Sequence, residues 1–275
     1  MSIMSVRTNI ASMTAAGQLG RTNKGLANSL GKISSGLRIN SASEDAAGLG
    51  VATNLESQVI STRQAMRNTN DGISIIQTAE SAANEVTDIL QRMRELAVQS
   101  SSETLADTER SFITDEFNQL RSEVSRIASV TEFNGLQLAD GTTSSLSVQV
   151  GIQNASSSRI DITLGDLTTS GLGIDSLDLS SVSSARASID SLDTALNSVN
   201  SFRSQFGAVQ NRLDSALNNS QINVEALSGA SSQIMDTDFA TETSNLTKLQ
   251  IMQQAGVASL AQAKNINQSV ISLLS

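Results

Sequence analysis

The residues that usually carry enzyme chemistry are scarce in this sequence. The chain of 275 residues contains no histidine and no cysteine. It therefore lacks the commonest metal ligands, the acid–base group that titrates near neutral pH and the strongest nucleophile. Carboxylates, lysines and hydroxyl groups remain, but no acid is paired with a histidine, a cysteine or a glycine-rich phosphate loop. The sequence predicts a protein that is not an enzyme and that uses no metal or cofactor.

The composition favours long helices. The chain has no proline, and aromatic residues make up 2 % of it. Proline would break a helix, and aromatic rings are what usually fill a thick core. Leu, Ile, Val, Ala and Met suit narrow seams between helices better. We therefore predict a mainly α-helical fold in which long antiparallel helices form a coiled-coil-like rod, with a small β-hairpin region.

Positive charge is concentrated in the first part of the chain. The net charge is −9, yet residues 1–43 contain no acid; their basic residues are Arg7, Arg21, Lys24, Lys32 and Arg38. These charges are sparse and lack aromatic neighbours, so they favour neither nucleic acid nor acidic lipid as a partner. The segment also continues without the break of a transit peptide. No apolar run approaches the roughly 18 residues of a membrane helix, so we predict no membrane insertion.

Both ends of the chain carry weak amphipathic helices, because apolar residues recur there in steps of three and four. The predicted seam residues are Ile3, Val6, Ile10, Leu26, Leu30, Ile33 and Leu37 near the start, and Leu246, Leu249, Val257, Leu260, Ile271 and Leu274 near the end. One pair of such helices leaves part of each stripe exposed. We predict that the ends pack on each other and on further copies of the chain. An ordinary monomeric bundle would show the same stripes.

Stronger helices and a small β region lie between the ends. A helix begins at a capping box formed by Ser41 and Glu44 and continues through Gly72, because its apolar track keeps the same phase on both sides. Alternating apolar residues indicate two strands that form a hairpin. The predicted elements are a helix over 44–99, a helix over 105–129, strands at 146–150 and 160–164, a surface loop over 168–184, and a helix from 185 to 217 or 227.

Several stretches resemble the bacterial flagellins. They are NIAS at 9–12, LGKISSGLRIN at 30–40, ASEDAAGL at 42–49, QRMRELAVQ at 91–99, TEFNG at 131–135, DTDFA at 236–240 and QAKN at 262–265. The stretches follow the order that the family shows, over roughly residues 1–140 and 180–275. Fewer than 50 residues separate Asn134 from Val182, so the chain resembles a short flagellin without large outer variable domains.

The resemblance implies a structural subunit that polymerises into the helical filament of the bacterial flagellum and supports swimming motility. Residues 1–43 and 235–275 would form the terminal coiled-coil inner tube. Residues 44–234 would form the helical rod domain, with the β-hairpin insert around 135–180. The subunit would be secreted unfolded by type III export and would be extracellular. Its partners would be copies of itself, an export chaperone at the C-terminal helix, and the filament cap and hook–filament junction proteins.

One alternative function accompanies this resemblance, and one further partner follows from it. The hook–filament junction protein shares the terminal helices, although the motifs at 91–99 and 131–135 favour the filament subunit. The further partner is an innate immune receptor that would bind the monomer. In flagellins that the vertebrate innate flagellin receptor recognises, the matching positions imply receptor contacts by Arg92, Leu96 and Glu116. Arg92 and Leu96 would also pack one rod against its neighbour in the filament, and both roles can hold, because a surface buried by assembly is available to a receptor in the monomer.

Overall fold

The structure is a computed structural model, and it describes the backbone of residues 8–272 and the side chains of residues 8–265. Within these residues the helices are α1 (Ile10–Ser35), α2 (Ala46–Ser100), α3 (Asp107–Val130), α4 (Val182–Met235) and α5 (Phe239–Ser272). The strands are β1 (Glu132–Phe133), β2 (Leu136–Gln137), β3 (Ser145–Gln149) and β4 (Arg159–Thr163). The predicted mainly helical fold with a small β region is confirmed.

The chain forms two compact units. The first combines the two ends of the chain, up to residue 57 and from residue 226, and the second holds residues 58–225. The predicted borders at 43/44 and 234/235 lie nearer to the chain ends than these limits.

Helix α2 begins later than the capping box predicted. Asp45 caps it instead, because its Oδ1 accepts a hydrogen bond of 2.8 Å from the backbone N–H of Gly48. Ser41 and Glu44 lie in a turn before the helix, where the Glu44 carboxylate accepts from the backbone N–H of Asn40 at 2.8 Å. The prediction of a capping box at Ser41 is therefore wrong, and the cap lies one residue after its predicted glutamate.

The larger of two hydrophobic clusters in the second unit lies between α2, α3 and α4. Its largest fully buried side chains include Leu90, Met93, Leu96, Phe117 and Leu192. Helices α2 and α4 are antiparallel, since Gly72 lies beside Leu213 whereas Arg94 pairs with Asp193 at 2.6 Å. The hydrogen bond from Arg94 lowers the pKa of Asp193. This ion pair is half-exposed, so packing rather than charge supplies most of the stability here.

Strands β3 and β4 form the predicted hairpin. They are antiparallel, with Val148 opposite Ile160. The hairpin packs on α2 at Gly72, where a Cβ atom would lie 3.0 Å from Val148 Cγ2. Gly72 therefore allows the strand to approach the helix closely, and the prediction that α2 runs through it is confirmed. The strands β1 and β2, which the sequence analysis missed, flank a turn at Asn134 and Gly135 with φ values of 52° and 79°.

The segment over 168–184 is not a surface loop, and that prediction is wrong. Three of its apolar side chains are buried in the core, namely Leu172, Ile174 and Leu179. Arg121 donates hydrogen bonds to the carbonyls of Asp175 (2.8 Å) and Leu177 (3.2 Å). The hydroxyl of Ser100 donates to the carbonyl of Leu179 at 2.8 Å. The segment thus closes one side of the core although it is rich in glycine and serine.

Candidate assembly and recognition surfaces

Helices α1 and α5 pack against each other in antiparallel orientation. Contacts along the pair run in opposite directions in the two helices: Asn9 Nδ2 donates to the Ala263 carbonyl (2.9 Å), Gln253 Nε2 donates to Asn23 Oδ1 (2.9 Å), and the Ser29 hydroxyl donates to the Glu242 carboxylate. The prediction that the two ends pack on each other therefore agrees with the structure of this unit.

Most of the predicted seam residues that the structure describes lie along this pair. The half-buried ones in the helices are Leu26 and Ile33 of α1 and Leu246, Leu249 and Leu260 of α5. Leu37 is also half-buried, but it follows α1 and forms a bridge with Asp236. Leu19 and Thr22, which the prediction did not include, lie on the same side of α1. Partial burial is what a single pair of helices achieves, since each helix covers only one face of the other.

The remaining described seam residues are exposed. Ile10 is 64 %, Leu30 49 % and Val257 54 % exposed. Four further large apolar residues of the two helices are also exposed: Met13, Phe239, Ile251 and Met252. The exposure of Ile251 or Met252 was predictable from the sequence. Adjacent residues of a helix point in different directions, so the two side chains cannot both lie on one narrow stripe. The side chains of Ile3, Val6, Ile271 and Leu274 lie outside the described residues.

The end of α1 is tied to the link between α4 and α5. Gly36 ends α1 with a left-handed φ of 74°. The backbone N–H of Arg38 donates to the Met235 carbonyl and its Nη2 donates to the Ile234 carbonyl, both at 2.6 Å. The backbone N–H of Thr237 donates to the Gly36 carbonyl at 2.9 Å. These bonds satisfy carbonyls at the end of α4 and fix the directions in which α1 and α5 leave the junction.

In the second unit, the structure brings together two of the three predicted receptor-contact residues. Arg92 Nη2 lies 2.8 Å from Glu116 Oε1, and Arg92 Nη1 lies 2.9 Å from Glu95 Oε2. The hydrogen bond to Glu116, followed by that to Glu95, raises the pKa of Arg92. All three side chains are about half-exposed or more. They form a charged surface on α2 and α3 that a partner can reach.

Leu96 does not belong to this surface. Its side chain is 1 % exposed and packs in the core of the second unit. Neither a receptor nor a neighbouring subunit can touch it in this structure, so its predicted surface role needs correction. Phe112, which the sequence analysis missed, is 69 % exposed one turn before Glu116. Ile113 and Phe117 are four residues apart and share the buried face of α3. Phe112 is out of phase with them, so the sequence already indicated that it lies outside that face.

We found no sign of a metal centre or a membrane span in the part of the chain that the structure describes. No group of three acidic side chains is placed to hold a metal ion among those residues. None of the described helices has the length and the apolar character that crossing a membrane requires.

Comparison with known proteins identifies relatives of the whole chain. Models of the bacterial flagellin N-terminal and C-terminal helical regions match residues 6–144 and 189–274. A flagellin of Halalkalibacterium halodurans is 41 % identical over 272 residues, which cover 98 % of this chain and 100 % of that protein. The flagellar filament 33 kDa core protein of Treponema phagedenis is 38 % identical over 287 aligned positions, with 98 % and 100 % coverage.

Solved structures give the same result. The crystal structure of Bacillus cereus flagellin superimposes with a TM-score of 0.51 and 33 % identity, covering 56 % of this chain and 88 % of that one. A putative flagellar hook-associated protein from Vibrio parahaemolyticus superimposes with a TM-score of 0.61 over 70 % of this chain and 100 % of that one. Because its identity is 18 %, it shows a shared fold only.

Proposed function

The chain belongs to the bacterial flagellin family and is a flagellar filament subunit, and from that premise we propose that it polymerises through the apolar faces that α1 and α5 leave exposed. The observation that carries the proposal is the exposure of Ile10, Leu30, Ile251 and Val257 in helices that are already paired. Exposed apolar residues that recur along a helix pair are typical of an interaction surface. The flagellins that the chain matches are structural proteins and not enzymes.

An open filament follows from the kind of contact involved. If the exposed face of the pair meets a different surface of the next copy, the interface is heterologous, and a rotation that does not close gives a helical polymer. The remaining predicted seam residues at Ile3, Val6, Ile271 and Leu274 are included in this proposal as an extension of the same faces. The filament would lie outside the cell and support swimming motility.

The exposed apolar faces also give a reason to expect partners before and during assembly. A subunit that presents them inside the cell would aggregate, so the proposal includes an export chaperone on α5 and unfolded secretion through the type III apparatus. Filament cap and hook–filament junction proteins would cover the same faces at the two ends of the polymer.

Seeded polymerisation tests this function. Purified full-length chain is added to short filament fragments and observed by electron microscopy. We expect filaments of many copies that lengthen with added protein. The hook–filament junction protein, the alternative function, would not polymerise alone, so a chain that remains monomeric at high concentration with intact seeds would contradict the proposal.

We further propose that the vertebrate innate flagellin receptor binds the monomer at Arg92 and Glu116. Both side chains are exposed and held in one cluster by their ion pair. Leu96 would support that surface from the core rather than touch the receptor. Phe112 adds an exposed aromatic ring beside the cluster, and interface hot spots are often aromatic or arginine residues.

Substitution at Arg92 tests the receptor proposal. Arg92→Ala monomer should need about tenfold more protein to activate the receptor in a cell reporter assay, because a central arginine is lost. Arg126→Ala is the matched control, since Arg126 is another exposed arginine of an ion pair, with Glu123. Equal potency of the Arg92 variant and the unmodified chain would argue against this surface, as would an unmodified monomer that gives no response.

A further inference from the structure

The apolar stripes of α1 and α5 do not by themselves fix how the two helices are aligned. Both stripes repeat similar aliphatic residues at steps of three and four, so a slip of one helical turn, about 5.4 Å, would again place aliphatic side chains opposite each other. Something else in the pair must select one register. The contacts that a slip would destroy are therefore the ones that specify it.

Two contacts in the pair are reciprocal. Leu249 of α5 packs on Gly25 of α1, where a Cβ atom would lie 3.3 Å from Leu249 Cδ2. Leu19 of α1 packs on Gly256 of α5, where a Cβ atom would lie 3.2 Å from Leu19 Cδ1. Each helix thus gives one leucine and accepts one leucine over a glycine. Such close contacts leave no room for a larger side chain at either glycine without a shift of its neighbour.

Two other glycines of α1 show that this role is specific. A Cβ atom built on Gly17 or on Gly20 would have no atom within 4 Å. These two glycines lower the helix propensity of α1 by the same amount as Gly25 does, but they accept no side chain from α5. Gly25 is thus the glycine of α1 on which a side chain of α5 packs.

A polar pair adds to the same selection. Ser29 is 2 % exposed, and its hydroxyl donates to the Glu242 carboxylate on α5. A buried hydroxyl or carboxylate that loses its hydrogen-bond partner destabilises the pair. A leucine that exchanges one leucine neighbour for another loses little free energy. A buried polar group at one position of a helix pair can therefore set the register even if it adds little stability.

A slip of one turn would remove all of these contacts together. Four residues to either side of Gly256 stand Met252 and Leu260, so Leu19 would meet a large side chain instead of a glycine. On α1, Arg21 and Ser29 stand four residues from Gly25, so Leu249 would meet a polar residue. The helices would have to separate, and Ser29 would lose Glu242.

We infer that the contacts Leu19–Gly256 and Leu249–Gly25, with the pair Ser29–Glu242, are the register-determining residues of the terminal helix pair. By choosing one alignment within a single chain, they decide which apolar residues of α1 and α5 stand side by side on the exposed face. A second copy of this chain then meets one defined surface. The inference rests on the proposed polymerisation through that face.

An engineered disulfide reports the register. The chain contains no cysteine, so Gly25→Cys with Leu249→Cys can form only one disulfide within a subunit, and the link leaves Leu19–Gly256 as the remaining leucine–glycine contact. Full-length chains carrying this pair are oxidised before and after seeded assembly. Intramolecular links change the mobility of the monomer on a denaturing gel, whereas links between subunits give dimers.

The yield in the otherwise unmodified background is compared with the yield in three variants. Gly256→Leu should lower the intramolecular yield at least about fivefold, because overpacking forces the helices apart. Gly17→Leu, the same chemical change in open space, should leave the yield before assembly unchanged. The exchange Leu19→Gly with Gly256→Leu moves the leucine to the other helix and should restore the yield.

The outcomes separate this inference from the proposed function. Equal yields with Gly256→Leu and Gly17→Leu, or an exchange variant that stays as poor as Gly256→Leu alone, would overturn the register assignment. Predominant dimers in the unmodified background would also overturn it, because α1 would then pair with α5 of another copy. Failure of the cysteine-free chain to lengthen seeds would instead count against polymerisation, and it would leave the measurement before assembly intact as a test of the register.

Discussion

Arg110 shows how a single buried charge holds a connection in the second unit. Its side chain is 4 % exposed and lies at the carboxyl end of α2. It donates hydrogen bonds to the carbonyl and hydroxyl of Ser100 and to the carbonyls of Ser102 (3.3 Å) and Leu105 (3.4 Å). Carbonyls at the end of a helix have no partner within it, and a cation near them is favourable. Arg110 thus stabilises the end of α2 and the turn to α3.

Substitution at Arg110 measures this role. Arg110→Met keeps much of the aliphatic volume but leaves buried carbonyls without a donor, so we expect the free energy of unfolding to fall by about 2–3 kcal/mol. Urea unfolding followed by circular dichroism gives the value. Arg126→Met is the control, because Arg126 pairs with Glu123 on an exposed surface and such pairs contribute little. Similar losses for both variants would show that Arg110 acts only as a surface charge.

Residue roles were only partly visible in the sequence. The ion pair of Arg92 with Glu116 agrees with the positions that the family resemblance selected. The burial of Leu96 was also accessible, because Leu96 follows Leu90 and Met93 at helical spacing on the core face of α2. The family resemblance predicted a surface role for Leu96, whereas its helical spacing indicates burial, which is what the structure shows. The four carbonyl and hydroxyl contacts of Arg110 depend on the turn between α2 and α3 and have no sequence signature.

At the scale of elements, α5 depends on its first turn. The Asp238 carboxylate accepts from the hydroxyl of Thr241 at 2.7 Å and from the backbone N–H groups of Ala240 (2.9 Å) and Thr241 (3.3 Å). These hydrogen bonds, that of the Thr241 hydroxyl first, lower the pKa of Asp238. A carboxylate in this position caps the helix and interacts favourably with its amino-terminal end.

The start of α5 should therefore loosen in acid. A carboxyl whose pKa is lower in the folded state stabilises the fold above its unfolded pKa, and the contribution is lost as the pH falls through the folded value. Hydrogen exchange at Ala240 and Thr241 should show stronger protection at neutral pH than below about pH 4. Asp238→Ala should weaken protection at both pH values, and Asp238→Asn should retain part of it without the pH dependence of the carboxylate. Protection in Asp238→Ala equal to that of the unmodified chain would contradict this account.

The long helices were the most predictable elements. Apolar residues in phase over many turns predicted α2 through Gly72 and left the end of α4 open between residues 217 and 227; the structure extends α4 to Met235. The prediction of a surface loop over 168–184 was wrong because the leucines and the isoleucine there follow neither helical nor strand spacing. The sequence pattern therefore gave no indication that they are buried. The predicted position of the α2 cap was wrong for a local reason. Ser41 and Asp45 are both good capping residues, and only the backbone conformation decides between them.

At the scale of the molecule, the terminal helix pair is the feature on which function depends. The sequence predicted that α1 and α5 pack together, since weak stripes at both ends of a chain need partners. It did not predict which side of each helix is used, because Leu26 and Leu30 fit one seam equally well on spacing alone. In the structure Leu26 is half-buried and Leu30 is 49 % exposed. The exposed set is thus a product of register and packing.

Seeded growth of a double variant tests the central claim most directly. Ile10→Ser with Ile251→Ser removes two side chains that are 64 % and 61 % exposed in the pair, so the subunit should stay folded while contacts between copies weaken. Ile152→Ser, a change at a residue that is 46 % exposed in the second unit, is the control. We expect the monomer concentration needed for growth to rise at least about tenfold for the double variant and to stay unchanged for the control, because burying each isoleucine is favourable. Filament growth by the double variant at the same monomer concentration as the unmodified chain would contradict polymerisation through these faces.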